Sequence, residues 1–145
     1  RAAGQAAGGD AASGVHVEYR GKNITTRVDY AWDAGAGVWK RSQDGTAHVD
    51  AKGTQIGPGN VIVQFVTYKD TGQRDRSNAV VDEAGLVGKG EAWILTGGRV
   101  VKGRWSKPSA TAVTTYTDAS GAKVGLTPGT TWVELSPPGT SELKT

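Results

Sequence analysis

Residues 26–33 read TRVDYAWD, and the alternation in this stretch decides the fold. Val28, Tyr30 and Trp32 fall on one side of an extended chain, and Arg27, Asp29 and Asp33 fall on the other. Side chains two apart share a face of a strand, so a period of two predicts a strand with one face in a core and one in water. The same period runs outwards in both directions. Val15, Val17 and Tyr19 alternate with His16, Glu18 and Arg20. Ala34-Gly35-Ala36-Gly37 reads as a turn, with Val38 to Ser42 as the hairpin partner. Asp44-Gly45 and Gly97-Gly98 are two-residue hairpin signals, the first leading into a short strand over Thr46 to Asp50 and the second joining Glu91–Thr96 to Arg99–Ser106. Asn60 to Lys69 (NVIVQFVTYK) is apolar on both sides, which predicts a central strand covered on two faces. Asp70 to Asn78 is polar and reads as an exposed loop; Val80–Val87, Val113–Asp118 and Thr131–Leu135 complete the set of strands.

These segments predict an all-β domain, a small antiparallel sandwich or partly open barrel of roughly nine short strands. The 145 residues suit one domain. The Ala/Gly-rich stretch 1–14 reads as a flexible linker, 15–135 as the domain, and 136–145 as a flexible tail. The chain begins at Arg1, without an initiator Met, and is expected to be a fragment or a mature product of something longer. The 22 glycines fit many tight turns and argue against long helices.

Composition excludes several functions. There is no cysteine, hence no disulfide framework, thiolate zinc site or cysteine nucleophile. Seventeen basic and 14 acidic residues are interspersed without a Lys/Arg run, which speaks against a nucleic-acid surface. No apolar stretch approaches the ~20 residues that a helix needs to cross a bilayer.

His48-Val49-Asp50 is the best polar candidate, because residues two apart on a strand point the same way. An imidazole beside a carboxylate suits general-base work, and Arg41 lies across a tight Asp44-Gly45 turn, which makes an Arg41–His48–Asp50 cluster for an anionic ligand. The competing reading is a polar cluster that ties one hairpin to its neighbour. His16 reads as solvated on an edge strand, and two histidines so placed predict no metal site. Gly85-Leu86-Val87-Gly88-Lys89-Gly90 lacks the spacing and helix of a phosphate loop, and its glycines are expected to allow bulges or close strand approach. Asn60 is expected to satisfy the backbone groups of a turn. Trp32, Trp105 and Trp132 are expected in the core, whereas Trp39 and Trp93 share faces with Arg41 and Glu91 and are expected to be exposed. Exposed aromatics can stack on sugars, so Trp39, Trp93 and Asn60 are the candidate ligand-binding residues.

An ordered series of short motifs resembles the C-terminal domain of the YerB-like lipoprotein family of bacterial envelopes. It comprises Tyr30-Ala31-Trp32-Asp33, Val38-Trp39-Lys40-Arg41, Asp44-Gly45, His48-Val49-Asp50 and Asn60-Val61-Ile62-Val63-Gln64. It continues through Gly88-Lys89-Gly90, Gly103-Arg104-Trp105-Ser106-Lys107 and Leu126 to Val133, with Trp39 standing where a Tyr is usual. The resemblance implies an extracytoplasmic envelope domain, tethered to the membrane in its parent only through an anchor outside this chain and preceded there by a larger N-terminal domain; no cofactor is expected. It implies no reaction. The Ala/Gly content suggests a high-GC actinobacterial source. Two functions follow as expectations. The first is a non-catalytic domain that supports the N-terminal domain or binds an envelope protein or cell-wall glycan. The alternative is an extracytoplasmic hydrolase or transferase using Arg41, His48 and Asp50.

Overall fold

The computed structural model of the protein describes residues 8–21, 23–74 and 80–145. Its strands are β1 (Asp10–Ala11), β2 (Gly14–Arg20), β3 (Thr25–Asp33), β4 (Val38–Gln43), β5 (Thr46–Ala47), β6 (Asn60–Phe65) and β7 (Tyr68–Arg74). They continue as β8 (Val80–Ala84), β9 (Gly88–Thr96), β10 (Arg99–Lys107), β11 (Thr115–Thr117), β12 (Thr131–Ser136) and β13 (Glu142–Lys144). One sheet runs β1-β10-β9-β6-β12, with β11 also on β10; the other runs β13-β2-β3-β4-β5; β7 and β8 form a separate ribbon. The two sheets stack without closing, so the fold is a sandwich.

The turn residues fix the hairpins. Asp44 and Gly45 have φ of 49° and 81°, and Gly97 and Gly98 have 59° and 74°, the left-handed pair that a two-residue hairpin requires. They set the registers Gln43↔Thr46 and Thr96↔Arg99. At the β3–β4 loop, the Asp33 carboxylate accepts from the Ala36 backbone N–H at 3.1 Å.

Alternation then sorts side chains into the interior. Val15, Val17, Val28 and Tyr30 from one sheet meet Val61, Val63, Leu95 and Val100 from the other. The opposite face of β6 and β9 is apolar as well. Ile62, Ala92, Ile94 and Trp105 are buried there under Tyr116, Val124 and Leu126, so β6 is covered on both sides as its composition requires. Tyr116 donates its hydroxyl to Gln64 at 2.7 Å and the Trp105 indole N–H donates to the Phe65 carbonyl at 2.8 Å, which pins the cover.

Several expectations change. The sandwich is not wholly antiparallel: β12 lies parallel to β6, in register Thr131↔Asn60. The buried Asn60 side chain explains this entry point, since it donates to the Thr127 carbonyl at 2.8 Å and accepts from the Thr127 N–H at 3.0 Å. It satisfies the backbone of the loop that leads into β12 and holds it beside the start of β6. The segment 60–69 is not one strand; it breaks after Phe65, and Tyr68 begins the ribbon. Of the polar stretch expected as a loop, Asp70–Arg74 belongs to β7, and 75–78 lie outside the described residues. Paired structure also extends past 15–135. Asp10 and Ala11 pair with β10, Ala12 is buried, and β13 pairs with β2 inside the stretch expected to be a flexible tail. Residues 1–7 of the expected linker lie outside the described residues.

Gly103 tests the close approach of β11 to β10. A Cβ at Gly103 sits 2.0 Å from the Thr117 carbonyl oxygen, so the strands cannot keep their spacing around a larger residue. Gly103→Ala is expected to lower stability by about 1–3 kcal/mol through overpacking. Thermal melting against the parent chain checks it, and an unchanged midpoint contradicts the assignment.

Candidate functional site

The polar candidates converge where the β12 edge of one sheet faces β2, β3 and β4 of the other. Arg41 projects inwards from β4 and is only 8% exposed. Opposite it, Glu134 on β12 is 7% exposed. Such groups stay inside only with their hydrogen bonds met. The guanidinium donates from Nε to the Tyr30 hydroxyl at 3.0 Å, from Nη1 to Gln43 at 3.2 Å, and from Nη2 to Glu134 Oε1 at 3.4 Å. Glu134 also accepts the Tyr30 hydroxyl at 2.6 Å on Oε1 and the Tyr19 hydroxyl on Oε2. Burial, reinforced by the Glu134 charge, pushes both phenols far above the ordinary tyrosine value, so they act as fixed donors. The Trp132 ring lies over the guanidinium, 5.2 Å from its centroid, as a cation–π lid.

His48 joins from the rim. Its Nδ1 lies 2.7 Å from Arg41 Nη1. A guanidinium has donors only, so Nδ1 accepts in this contact and the ring proton sits on Nε2. The His48 ring meets Trp132 edge-on at 5.9 Å.

The expected triad is therefore two-thirds present. Arg41 and His48 meet, but Asp50 does not join them. The chain leaves β5 after Ala47, and exposed Asp50 caps a turn, accepting from the Lys52 and Thr54 N–H groups at 2.9 and 3.0 Å. The strand period that would have aligned His48 with Asp50 does not apply in that turn. The carboxylate that does meet Arg41 is Glu134, which the sequence reading missed. A signal was available: Glu134 stands two residues after Trp132, on the face assigned to the core.

Trp39 is fully buried, which corrects the expectation of exposure. It was placed outside because it shares a face with Arg41, but Arg41 itself points inwards. The Trp39 ring packs on Trp32 at 4.8 Å, and its indole N–H has no acceptor among the described residues. Trp93 is half-buried; its N–H donates to Glu91 at 3.0 Å and its ring meets Phe65 at 4.7 Å. Of the three tryptophans expected in the core, Trp105 is buried, while Trp32 and Trp132 are partly covered. Asn60 is turned into the β12 loop as described above.

His16 is a further correction. β13 covers the edge expected for β2, and the imidazole is held between carboxylates, with Nδ1 2.8 Å from Asp29 and Nε2 3.4 Å from Glu18. The hydrogen bond with Asp29 is the main cause that raises its pKa above the ordinary histidine value; burial opposes the shift and Glu18 adds to it. Among the described residues, no group of three or more His, Cys, Asp or Glu is placed to hold a metal.

Residues 15–133 match the family described as "Protein of unknown function (DUF3048) C-terminal domain". The chain belongs to this family. No curated protein matches it. The crystal structure of the YerB protein from Bacillus subtilis superposes with a TM-score of 0.76 at 20% identity. The match covers 94% of this chain and 45% of the YerB chain, so the domain spans less than half of that protein. At this identity the likeness concerns the fold, and it agrees with the YerB-like kinship read from the motifs.

Two measurements test the electrostatics. Arg41→Met alone leaves Glu134 buried without its cation and is expected to cost about 3–5 kcal/mol. Arg41→Met combined with Glu134→Gln is expected to cost clearly less than the sum of the single changes in urea unfolding; strict additivity contradicts the pairing. At His16 the folded pKa is raised, so its stabilisation is complete below the unfolded value of about 6.5 and is lost as pH rises through the folded value. The melting advantage over His16→Gln is expected to be largest below about pH 6.5 and to shrink as the pH is raised above it. An advantage that grows over that range contradicts the assignment.

Proposed function

We propose that this chain is a non-catalytic domain of the bacterial cell envelope, working outside the cytoplasm and supporting the domain that precedes it in its parent protein. The observation that carries this reading is the inward closure of the polar cluster. Both ends of the Arg41 guanidinium and both oxygens of Glu134 are engaged by the protein itself. A general base needs a free acceptor beside a substrate. His48 offers none in this state, since Nδ1 faces Arg41 at 2.7 Å and Nε2 carries the proton. Asp50, the other expected member, caps its own turn. The extracytoplasmic setting is supported by the resemblance to the YerB-like lipoproteins. The supporting role is favoured by YerB itself, more than half of whose chain lies outside the match.

The test pairs this chain with the preceding domain of its parent on a separate polypeptide, each at about 1 mM, the effective concentration a short linker provides. Reciprocal shifts in the amide spectra of both are expected. Unchanged spectra overturn the supporting role. Separately, the purified chain is expected to leave cell-wall material intact; release of fragments that disappears with His48→Ala overturns the non-catalytic reading.

A further inference from the structure

A groove of about 340 Å³ opens at the end of the sandwich where β6 finishes and β9 begins. Its walls include Phe65, Gly90, Glu91, Trp93, Pro138 and Ser141. The last two come from the segment that carries the chain from β12 of one sheet across to β13 of the other. Its size falls at the small end of ligand pockets.

We propose that this groove binds an uncharged pyranose ring of a wall glycan. The proposal rests on the reading of the chain as a non-catalytic envelope domain and gives that domain a ligand. Three features favour this ligand class. The first is a preset aromatic wall. Trp93 and Phe65 meet almost perpendicularly, at 4.7 Å and 79°, and the Trp93 indole is fixed further by its N–H bond to Glu91 at 3.0 Å. A ring held on two sides loses little freedom on binding, and its π face suits the polarised C–H face of a sugar.

The second is a directed acceptor. The indole engages Glu91 Oε1, and Oε2 takes no partner among the described residues. A carboxylate oxygen beside an aromatic face can accept a sugar hydroxyl or acetamido N–H through a charge-assisted bond. The third is what the lining lacks. No lysine or arginine is among the lining residues, so the charged group that a phosphate or carboxylate ligand would meet on the walls is Glu91; Arg104, across from Glu91 on β10, lies outside the lining. Gly139 adds no side chain to the wall, and the space beside it is open.

Two wall sources share this chemistry, the N-acetylated hexosamines of the glycan strand and the neutral hexoses of accessory polysaccharides. The experiment separates them. The chain labelled with nitrogen-15 is titrated with triacetylchitotriose, and in parallel with maltotriose and mannotriose. The Trp93 indole signal is assigned by its loss in Trp93→Phe. A saturable shift of that signal is expected with at least one sugar, with Kd on the order of 1 mM. A response to triacetylchitotriose alone assigns the strand hexosamines, and a response to a neutral hexose trimer assigns the accessory polysaccharides. Exposed Glu91 is expected to tolerate Glu91→Ala without loss of melting temperature, while the affinity falls about tenfold. Silence of the Trp93 signal with all three sugars, shifts confined to other tryptophans, or full affinity in Glu91→Ala each overturns the proposal. Appearance of new reducing ends during the titration is a separate outcome: it overturns the non-catalytic reading and leaves the binding groove standing.

Discussion

Arg41 and Glu134 are charged groups held between two sheets, and burying them requires that every donor and acceptor find a partner in a dry space. That requirement places Tyr30 on β3, Tyr19 on β2 and Gln43 on β4 around the pair. The cluster therefore joins three strands of one sheet to β12, the edge strand of the other. A buried ion pair with fixed hydrogen bonds adds a directional constraint to the alternation that already sets the face of each strand. Trp132 covers the guanidinium from the solvent side, and His48 completes the rim. The residues that look most like a catalytic group are thus bonded to one another across the two sheets.

The rest of the fold answers a shortage of bulky aliphatic residues. With five tryptophans, four tyrosines and one phenylalanine, the chain fills its interior largely with aromatics and Val. It covers both faces of the β6–β9 pair, one against the opposite sheet and one under the 113–126 segment and β11. Double cover gives a short chain two small cores that share a common wall. Beside the segment that joins β12 to β13, the aromatic pair Trp93 and Phe65 remains partly uncovered next to Glu91.

Kinship with the DUF3048 C-terminal domains and the superposition on YerB at 20% identity fit this picture. What this chain and YerB share at that identity is the fold, which survives the replacement of most individual side chains. The ordered motifs made the kinship legible before any coordinates, because turns such as Asp44-Gly45 demand particular residue types.

Local alternation and turn chemistry belong to the chain itself, and they determined most of the strands, the two tight hairpins and the doubly covered β6. These follow from neighbours within a few residues, where backbone sterics and the period of two leave little choice. Only the tertiary structure decided which face of β4 is interior. Arg41 marked that face as wet by its charge, and Trp39 was read outwards with it; the partner that reverses the reading, Glu134, stands 93 residues away. The parallel pairing of β12, the docking of β13 on β2 and the departure of Asp50 from His48 were equally beyond local reading. In each case the deciding contact joins groups from different elements or depends on where a strand ends, and alternation records only which side of its own strand a residue occupies, not what lies opposite.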